Sequence, residues 1–405
     1  MTPLPPTSLI IVSRHRPAAL MRALVAVAQM DHPHFEVIVV ADPAAIAQLR
    51  GSAQPYKLAA FDEANISKAR NIGLGLASGA VVAFLDDDAV PEPTWLSRLA
   101  AAFADSRVTA AGGFVLGRSG LSWQWRAAYI DADGFDTPFE ASPTVSLHSG
   151  DAWRAVKTQG TNCAFRRDAL LAIGGFDPGF AFYLDEADVN LRLAAQGGLT
   201  AVVPDAVVHH GFEASARRRA DRVPTDLRQI GASLALFLAR HSKNPGTIAR
   251  HIADQRKRLL RHMITGALEP RDVGRLLGGL HDGITNATAP AAPLPPLRPG
   301  PLPFTPLPGT GPRPGLVLSG TAEQLATLRQ KARSHSAAGE IVTLIALARG
   351  LRPHQHRFTP EGWWEQSGGR FGRSFRDGTR VSWAPADVRL AQEKAWLAKF
   401  RPISP

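Results

Sequence analysis

With 405 residues, 45% of them hydrophobic and 20% charged, the chain can bury a sizeable core and has length for more than one folding unit. Its single cysteine, Cys163, and the lack of any run of eighteen apolar residues exclude an intramolecular disulfide, a multi-cysteine zinc site and a membrane span; residues Met1–Ser8 carry no secretion-signal pattern, so a cytoplasmic location is expected. The formal charge is +11, and between Glu213 and Arg261 twelve basic residues stand against four acidic ones, so the excess is local: no nucleic-acid partner is expected, and 213–261 is read as a solvated helix face or a peripheral contact with an anionic membrane.

In chain order, Leu9–Val12 is a branched apolar run ended by Ser13-Arg14-His15-Arg16-Pro17, and Leu20, Leu24, Val27 and Ala28 then repeat at helical spacing. Phe35–Val40 predicts a second strand, ended by Ala41-Asp42-Pro43, with a short helix over Ala44–Arg50. A helix over Ile66–Ala77 leads through Ser78-Gly79 into a buried strand, Ala80–Leu85, which runs directly into Asp86-Asp87-Asp88. Strands alternating with helices predict a mainly parallel sheet, and ligands of such sheets bind beyond the carboxyl ends of the strands. Ser13, Asp42 and the three aspartates all fall on that rim.

Residues 119–160 hold six aromatics without a regular period and are expected to form a long, partly irregular insertion. Regular elements resume with a helix at Asp168–Ile173, a Gly174-Gly175 turn, a helix at Glu186–Ala195 and a strand at Thr200–Val203, followed by basic helices to about His281. The expected organisation is a catalytic domain at 1–215, a basic helical extension at 216–285, a proline-rich stiff linker at 286–314 that separates two units, and a small separate α/β module at 315–405.

Three adjacent aspartates at a strand end repel one another unless a positive group sits among them, and a divalent cation removes the difficulty. Asp86 and Asp88, two apart on an extended segment, are expected to point to one side; the alternative is a solvated acidic turn before a helix at Pro91–Phe103. The order Asn65-Ile-Ser-Lys-Ala-Arg70-Asn71-Ile-Gly73, Ala77-Ser-Gly79, apolar strand and triple aspartate resembles the inverting glycosyltransferases of family 2, which share the GT-A fold, a Rossmann-like α/β domain. Further along, Gly160-Thr-Asn162 with Phe165-Arg-Arg167 and Gly174-Gly-Phe-Asp177, then Asp185-Glu186-Ala-Asp188-Val-Asn-Leu-Arg192, then Pro204–Ser215 with His209-His210, extend the resemblance over about residues 8–215.

The resemblance implies a nucleotide-sugar donor (UDP-, GDP- or dTDP-linked), a glycan or glycolipid acceptor of the cell envelope, and Mn²⁺ or Mg²⁺. Residue by residue, it places Ser13, Asp42, Asn65, Arg70, Asp86 and Asp87 on the nucleotide sugar, with Arg70 expected on the diphosphate. Asp88, Asp86 and His210 are expected at the metal, with His209 as the alternative to His210. Glu186 falls at the place of the catalytic base, with Asp185 as the other candidate; Asp188 and Arg192, four apart on a helix, suit a structural pair. Two departures from the family's common pattern, Ala41 beside Asp42 and Ser13-Arg14-His15 after the first strand, leave the donor's nucleotide base open. Cys163 reads as a small buried residue, and Trp123, Trp125 and Trp153 as core packing before sugar stacking. Two other classes fit parts of the pattern: a sugar-phosphate nucleotidyltransferase, which calls for a glycine-rich loop after the first strand, and a non-catalytic nucleotide-sugar- or nucleic-acid-binding protein, which needs no acid pair at 185–186.

Overall fold

The computed structural model describes residues 3–287, 293–300 and 302–403. Strand β1 (Thr7–Val12), helix α1 (Pro17–Val27), β2 (Phe35–Ala41), α2 (Pro43–Arg50), β3 (Lys57–Ala60), α3 (Ile66–Leu76) and β4 (Val81–Asp86) form the first half of the sheet domain. A short β5 (Ala89–Pro91), α4 (Trp95–Ala101) and β6 (Val108–Leu116) follow. β1 pairs in parallel with β2 and β4, and β2 with β3, so these four strands end on one rim. Branched side chains fill both faces of the sheet: Leu9, Ile11, Val37 and Val39 pack under α1, α2 and α4, and Ile10, Ile38, Val82 and Phe84 pack against the opposite helices. The α/β class is as expected; β3 had no apolar run to announce it, because its Lys57-Leu-Ala-Ala60 stretch is half exposed at the sheet edge.

The 119–160 region is more ordered than its composition suggests. Short strands β7 (Trp123–Trp125), β8 (Ala128–Asp131), β9 (Asp136–Pro138), β10 (Ser146–His148) and β11 (Arg154–Val156) occur there, with β11, β8 and β9 forming a separate three-stranded sheet. β12 (Cys163–Arg166) then enters the main sheet antiparallel between β4 and β6, followed by α5 (Arg167–Ala172), α6 (Asp185–Ala194) and β13 (Leu199–His210). β13 runs parallel to β6 and is far longer than the strand expected at Thr200–Val203, because a bulge between Val203 and Val207 lets pairing resume up to the histidines. Asn162 holds this bulge by donating from Nδ2 to the Ala206 and Phe114 carbonyls, each at 2.9 Å.

Helices α7 (Arg228–His241), α8 (Thr247–Ile264) and α9 (Pro270–Thr285) form the basic extension. Residues 288–292 and 301 of the proline-rich stretch lie outside the described residues; its remainder does not act as a free spacer. Its extended backbone is hydrogen-bonded along the sheet domain: Leu297 N to Leu171 O at 3.0 Å, Thr305 N to the buried Glu36 carboxylate at 2.9 Å, and Leu307 N to Phe35 O at 2.8 Å. Proline fixes the extended conformation without using these few N–H groups, so the segment straps the domain.

The last module, β14 (Gly315–Thr321), α10 (Leu325–Ala337), β15 (Ile341–Ala348), β16 (Gln355–Phe358), β17 (Trp364–Gly369) and α11 (Ala386–Leu397), forms its own four-stranded sheet. It was expected to stand apart, yet it is packed on the sheet domain. Glu92, 1% exposed just after β5, demands a cation, and Arg401 supplies it with Nε–Oε2 at 2.9 Å while lying 3.9 Å over the Trp364 ring. We expect Arg401→Ala to lower stability by roughly 3 kcal/mol, since it strands a buried carboxylate. A urea midpoint unchanged from the parent chain would show that this contact does not anchor the module.

Candidate active site

The rim formed by β1, β2 and β4 opens into a cleft of about 810 Å³ whose walls include Ser13–Arg16, Asn65, Asp86–Asp88 and Ala214–Arg218. β4 ends at Asp86, and Asp87 and Asp88 form a turn into β5, so the triplet is not one extended segment as expected. The turn separates the three carboxylates by role. Asp87 faces the β1–α1 loop, accepting from Ser13 Oγ at 2.8 Å and from Arg16 Nη1 at 3.0 Å. Burial nevertheless lifts its pKa to about 7 against the pull of Arg16.

Asp86 and Asp88 meet His210, delivered by the end of β13, and their ligand atoms all lie within 4.8 Å of one another. His210 Nε2 is 3.2 Å from Asp88 Oδ1, and its Nδ1 is 3.0 Å from Gln124 Oε1. Burial opposes ionisation of Asp88, but His210 and the Glu213 N–H, 2.8 Å away, outweigh it and hold the group down to about 2. Two carboxylate oxygens and an imidazole nitrogen suit Mn²⁺ or Mg²⁺ in chemistry and spacing. Successive residues of a strand face opposite sides. His209 accordingly points away, to Glu92 at 2.8 Å and the Trp364 ring, and does not join this group.

Arg70 is placed differently from the sequence expectation. It does not line the cleft but is buried beneath it, 3% exposed, between the Phe84 and Phe176 rings at 5.6 and 5.2 Å. Its guanidinium pairs with Asp185, reaches Asp86 Oδ1 at 3.5 Å and donates to Gly160 O at 3.1 Å. Gly160 is required there, because a Cβ would collide with the guanidinium. Arg70 thus neutralises two acids from two elements, which explains why it turns inward.

α6 starts after two residues with left-handed backbone, Tyr183 at φ 78° and Leu184 at φ 64°, a conformation that costs on the order of 1–3 kcal/mol each and is found where function fixes geometry. It sets Asp185 on Arg70 and leaves Glu186 half-buried. Burial and then the Asp185 carboxylate raise the Glu186 pKa well above the ordinary glutamate range, with Lys157 opposing; the two carboxyl groups are hydrogen-bonded to each other. Glu186 is not among the residues lining the cleft. Asp188 is fully buried and bound by Arg192 at 2.6 Å within α6, as expected for the i,i+4 pair, and by Arg240 at 2.8 Å and His241 at 2.9 Å, which tether α6 to α7.

Asp42 and Asn65 sit at the rim but are engaged as helix caps. Asp42 accepts from Ala45 N at 3.2 Å and His15 N at 2.9 Å, and Asn65 accepts from Lys68 N at 3.0 Å. Cys163 is buried, as expected. Trp123 packs on Phe114, whereas Trp153 is 49% exposed under Lys243 rather than in the core. Sequence reasoning missed Arg16 as the clamp on Asp87 and Arg217 and Arg218 as cleft walls. The basic loop after β1 signalled the first; nothing local signalled the others.

Strand-end acids and an imidazole thus converge in the crevice of a mixed α/β sheet, a donor set whose chemistry suits a divalent cation. The family model described as "Glycosyltransferase like family 2" matches residues 5–231, and the chain belongs to this family of glycosyltransferases. It is 30% identical over 246 residues to the O-antigen biosynthesis protein RfbC of Myxococcus xanthus, a match that spans 54% of this chain and 18% of that protein. It is also 30% identical over 141 residues to the glucosyl-dolichyl phosphate glucuronosyltransferase of Haloferax volcanii, spanning 33% of this chain and 43% of that protein. The chain therefore spans less than half the length of either relative. Among solved structures, a mannosyltransferase from Pyrobaculum calidifontis in complex with GDP-Man and Mn²⁺ is similar at 17% identity and a TM-score of 0.40, over 70% of this chain and 87% of that one. Among the described residues, no helix is long and apolar enough to cross a membrane.

The raised Glu186 pKa has a testable sign. Above the unfolded glutamate value the folded state holds more protons than the unfolded one, so this group's contribution to stability falls as pH rises. Glu186→Gln should therefore gain stability relative to the parent chain as pH goes from 5 to 8, measured by urea unfolding. A difference independent of pH would show that Glu186 ionises normally.

Proposed function

We propose that this glycosyltransferase moves a sugar from a nucleoside-diphosphate donor to an acceptor hydroxyl with inversion, in the synthesis of a cell-envelope or surface glycan. The observation that carries the reading is the convergence of Asp86, Asp88 and His210 at the strand ends of the cleft. These three would hold Mn²⁺ or Mg²⁺, which when bound offsets the negative charge of the diphosphate leaving group. The cleft wall provides Arg16, Arg217 and Arg218 for the donor's phosphates and the β1–α1 loop for its nucleotide.

Inversion requires one displacement, in which the acceptor oxygen bonds to the anomeric carbon as the bond from sugar to phosphate breaks and its electron pair leaves with the diphosphate. The acceptor proton must go to a base. Asp185 is committed to Arg70, whereas Glu186 has a raised proton affinity and a half-open position, so Glu186 takes the proton. The names of the two relatives support a glycan or glycolipid acceptor. The exposed Arg250, Arg256, Lys257 and Arg261 on α8 support peripheral contact of a cytoplasmic protein with an anionic membrane.

Glu186→Gln should reduce turnover on a responsive nucleotide sugar by about a hundredfold or more, with nucleoside-diphosphate affinity within about twofold. Retained turnover would move the base role elsewhere. Asp88→Ala should abolish the Mn²⁺ dependence of nucleoside-diphosphate binding in calorimetry, and an unaltered dependence would remove Asp88 from the metal site.

A further inference from the structure

A second cavity of about 800 Å³ lies between the sheet domain and the C-terminal module and meets the first cleft at Asp88 and His210. Five arginines line it: Arg22 and Arg118 from the sheet domain, and Arg329, Arg333 and Arg357 from the module. Their charge is not fully matched. Arg329 and Arg357 share one carboxylate, Glu365, at 2.7 and 2.6 Å. Among the described residues Arg118 has no acidic partner, and it is held by the carbonyls of Gly211, Phe212 and Ala220 at 2.9, 2.9 and 3.0 Å. Arg22 pairs with Glu213 at 3.2 Å and Arg333 with Glu361 at 3.4 Å, both pairs on exposed or half-exposed carboxylates. Two further lining residues are buried with an unpartnered nitrogen among the described residues: Trp363, 2% exposed, at its indole Nε1–H, and His356, 5% exposed, at Nε2.

Guanidinium forks that outnumber the carboxylates paired with them, beside a spare N–H donor, are the chemistry of phosphate recognition. We propose that this cavity binds a phosphoryl group carried by the acceptor, and that the C-terminal module is an acceptor-binding unit. The assignment rests on the donor occupying the first cleft, as proposed above. The shared wall at Asp88 and His210 then brings an acceptor held by its phosphate to the edge of the donor site, while both anions remain separately neutralised.

Calorimetry on the full chain tests it with inorganic phosphate, after Mn²⁺ and a saturating nucleoside diphosphate have filled the first cleft. Phosphate should still bind, and Arg333→Gln and Arg357→Gln should each weaken it about tenfold while leaving nucleoside-diphosphate affinity within error, Arg333→Gln leaving the unfolding midpoint unchanged as well. Dodecyl phosphate, a monoester with room for the rest of an acceptor, should compete with inorganic phosphate. Displacement of the nucleotide by phosphate, a phosphate affinity unchanged from the parent chain in both variants, or failure of the monoester to compete would each overturn the assignment. A nucleoside diphosphate that does not bind at all would instead refute the donor reading, and phosphate titrated into the chain alone then still reports on the second cavity.

Discussion

The site is possible because one guanidinium lies buried beneath it. Asp86 ends a strand and Asp185 begins a helix 99 residues later in the sequence, and both are drawn to Arg70 between two phenylalanine rings. Without that charge, two acids brought together in a poorly solvated place would repel each other or take up protons. With it, Asp185 is satisfied and Asp86 stays directed at the cleft, while Glu186, half-buried beside Asp185, keeps a raised proton affinity. Gly160, which yields space to the guanidinium, belongs to the same arrangement.

A second set of buried charges ties the periphery to this centre. Asp188 joins α6 to α7 through Arg240 and His241, and Glu92 joins the sheet to the last residues through Arg401, with His209 of β13 on the same carboxylate. Each carboxylate is almost completely buried and each is contacted by more than one basic side chain. The helical extension and the C-terminal module are thus held by groups whose removal leaves an unpaired charge, not by apolar contact alone.

The strands that bear the rim were legible in the sequence, because Leu9–Val12, Phe35–Val40 and Ala80–Leu85 are dense in branched residues and each is followed by a polar turn. Asp86, Asp88 and His210 followed from strand ends and from the family resemblance. Arg70 was placed correctly along the chain but given the wrong neighbours, since no local period records its contact with Asp185 of α6, 115 residues away. The docking of the last module was hidden for the same reason. Glu92 and Arg401 are 309 residues apart, and proline content describes a stiff backbone without saying what it lies against.

β13 has a consequence for how this family member tolerates change. Pro204, Asp205 and Ala206 have no partners on β6, and pairing restarts at Val207. The parity of that three-residue interruption decides which imidazole looks into the carboxylates and which looks at Trp364. Loss or gain of a single residue there would exchange the two histidines, whereas a change of two would restore the phase. Length variation at this interruption is therefore quantised by the chemistry at the strand's far end.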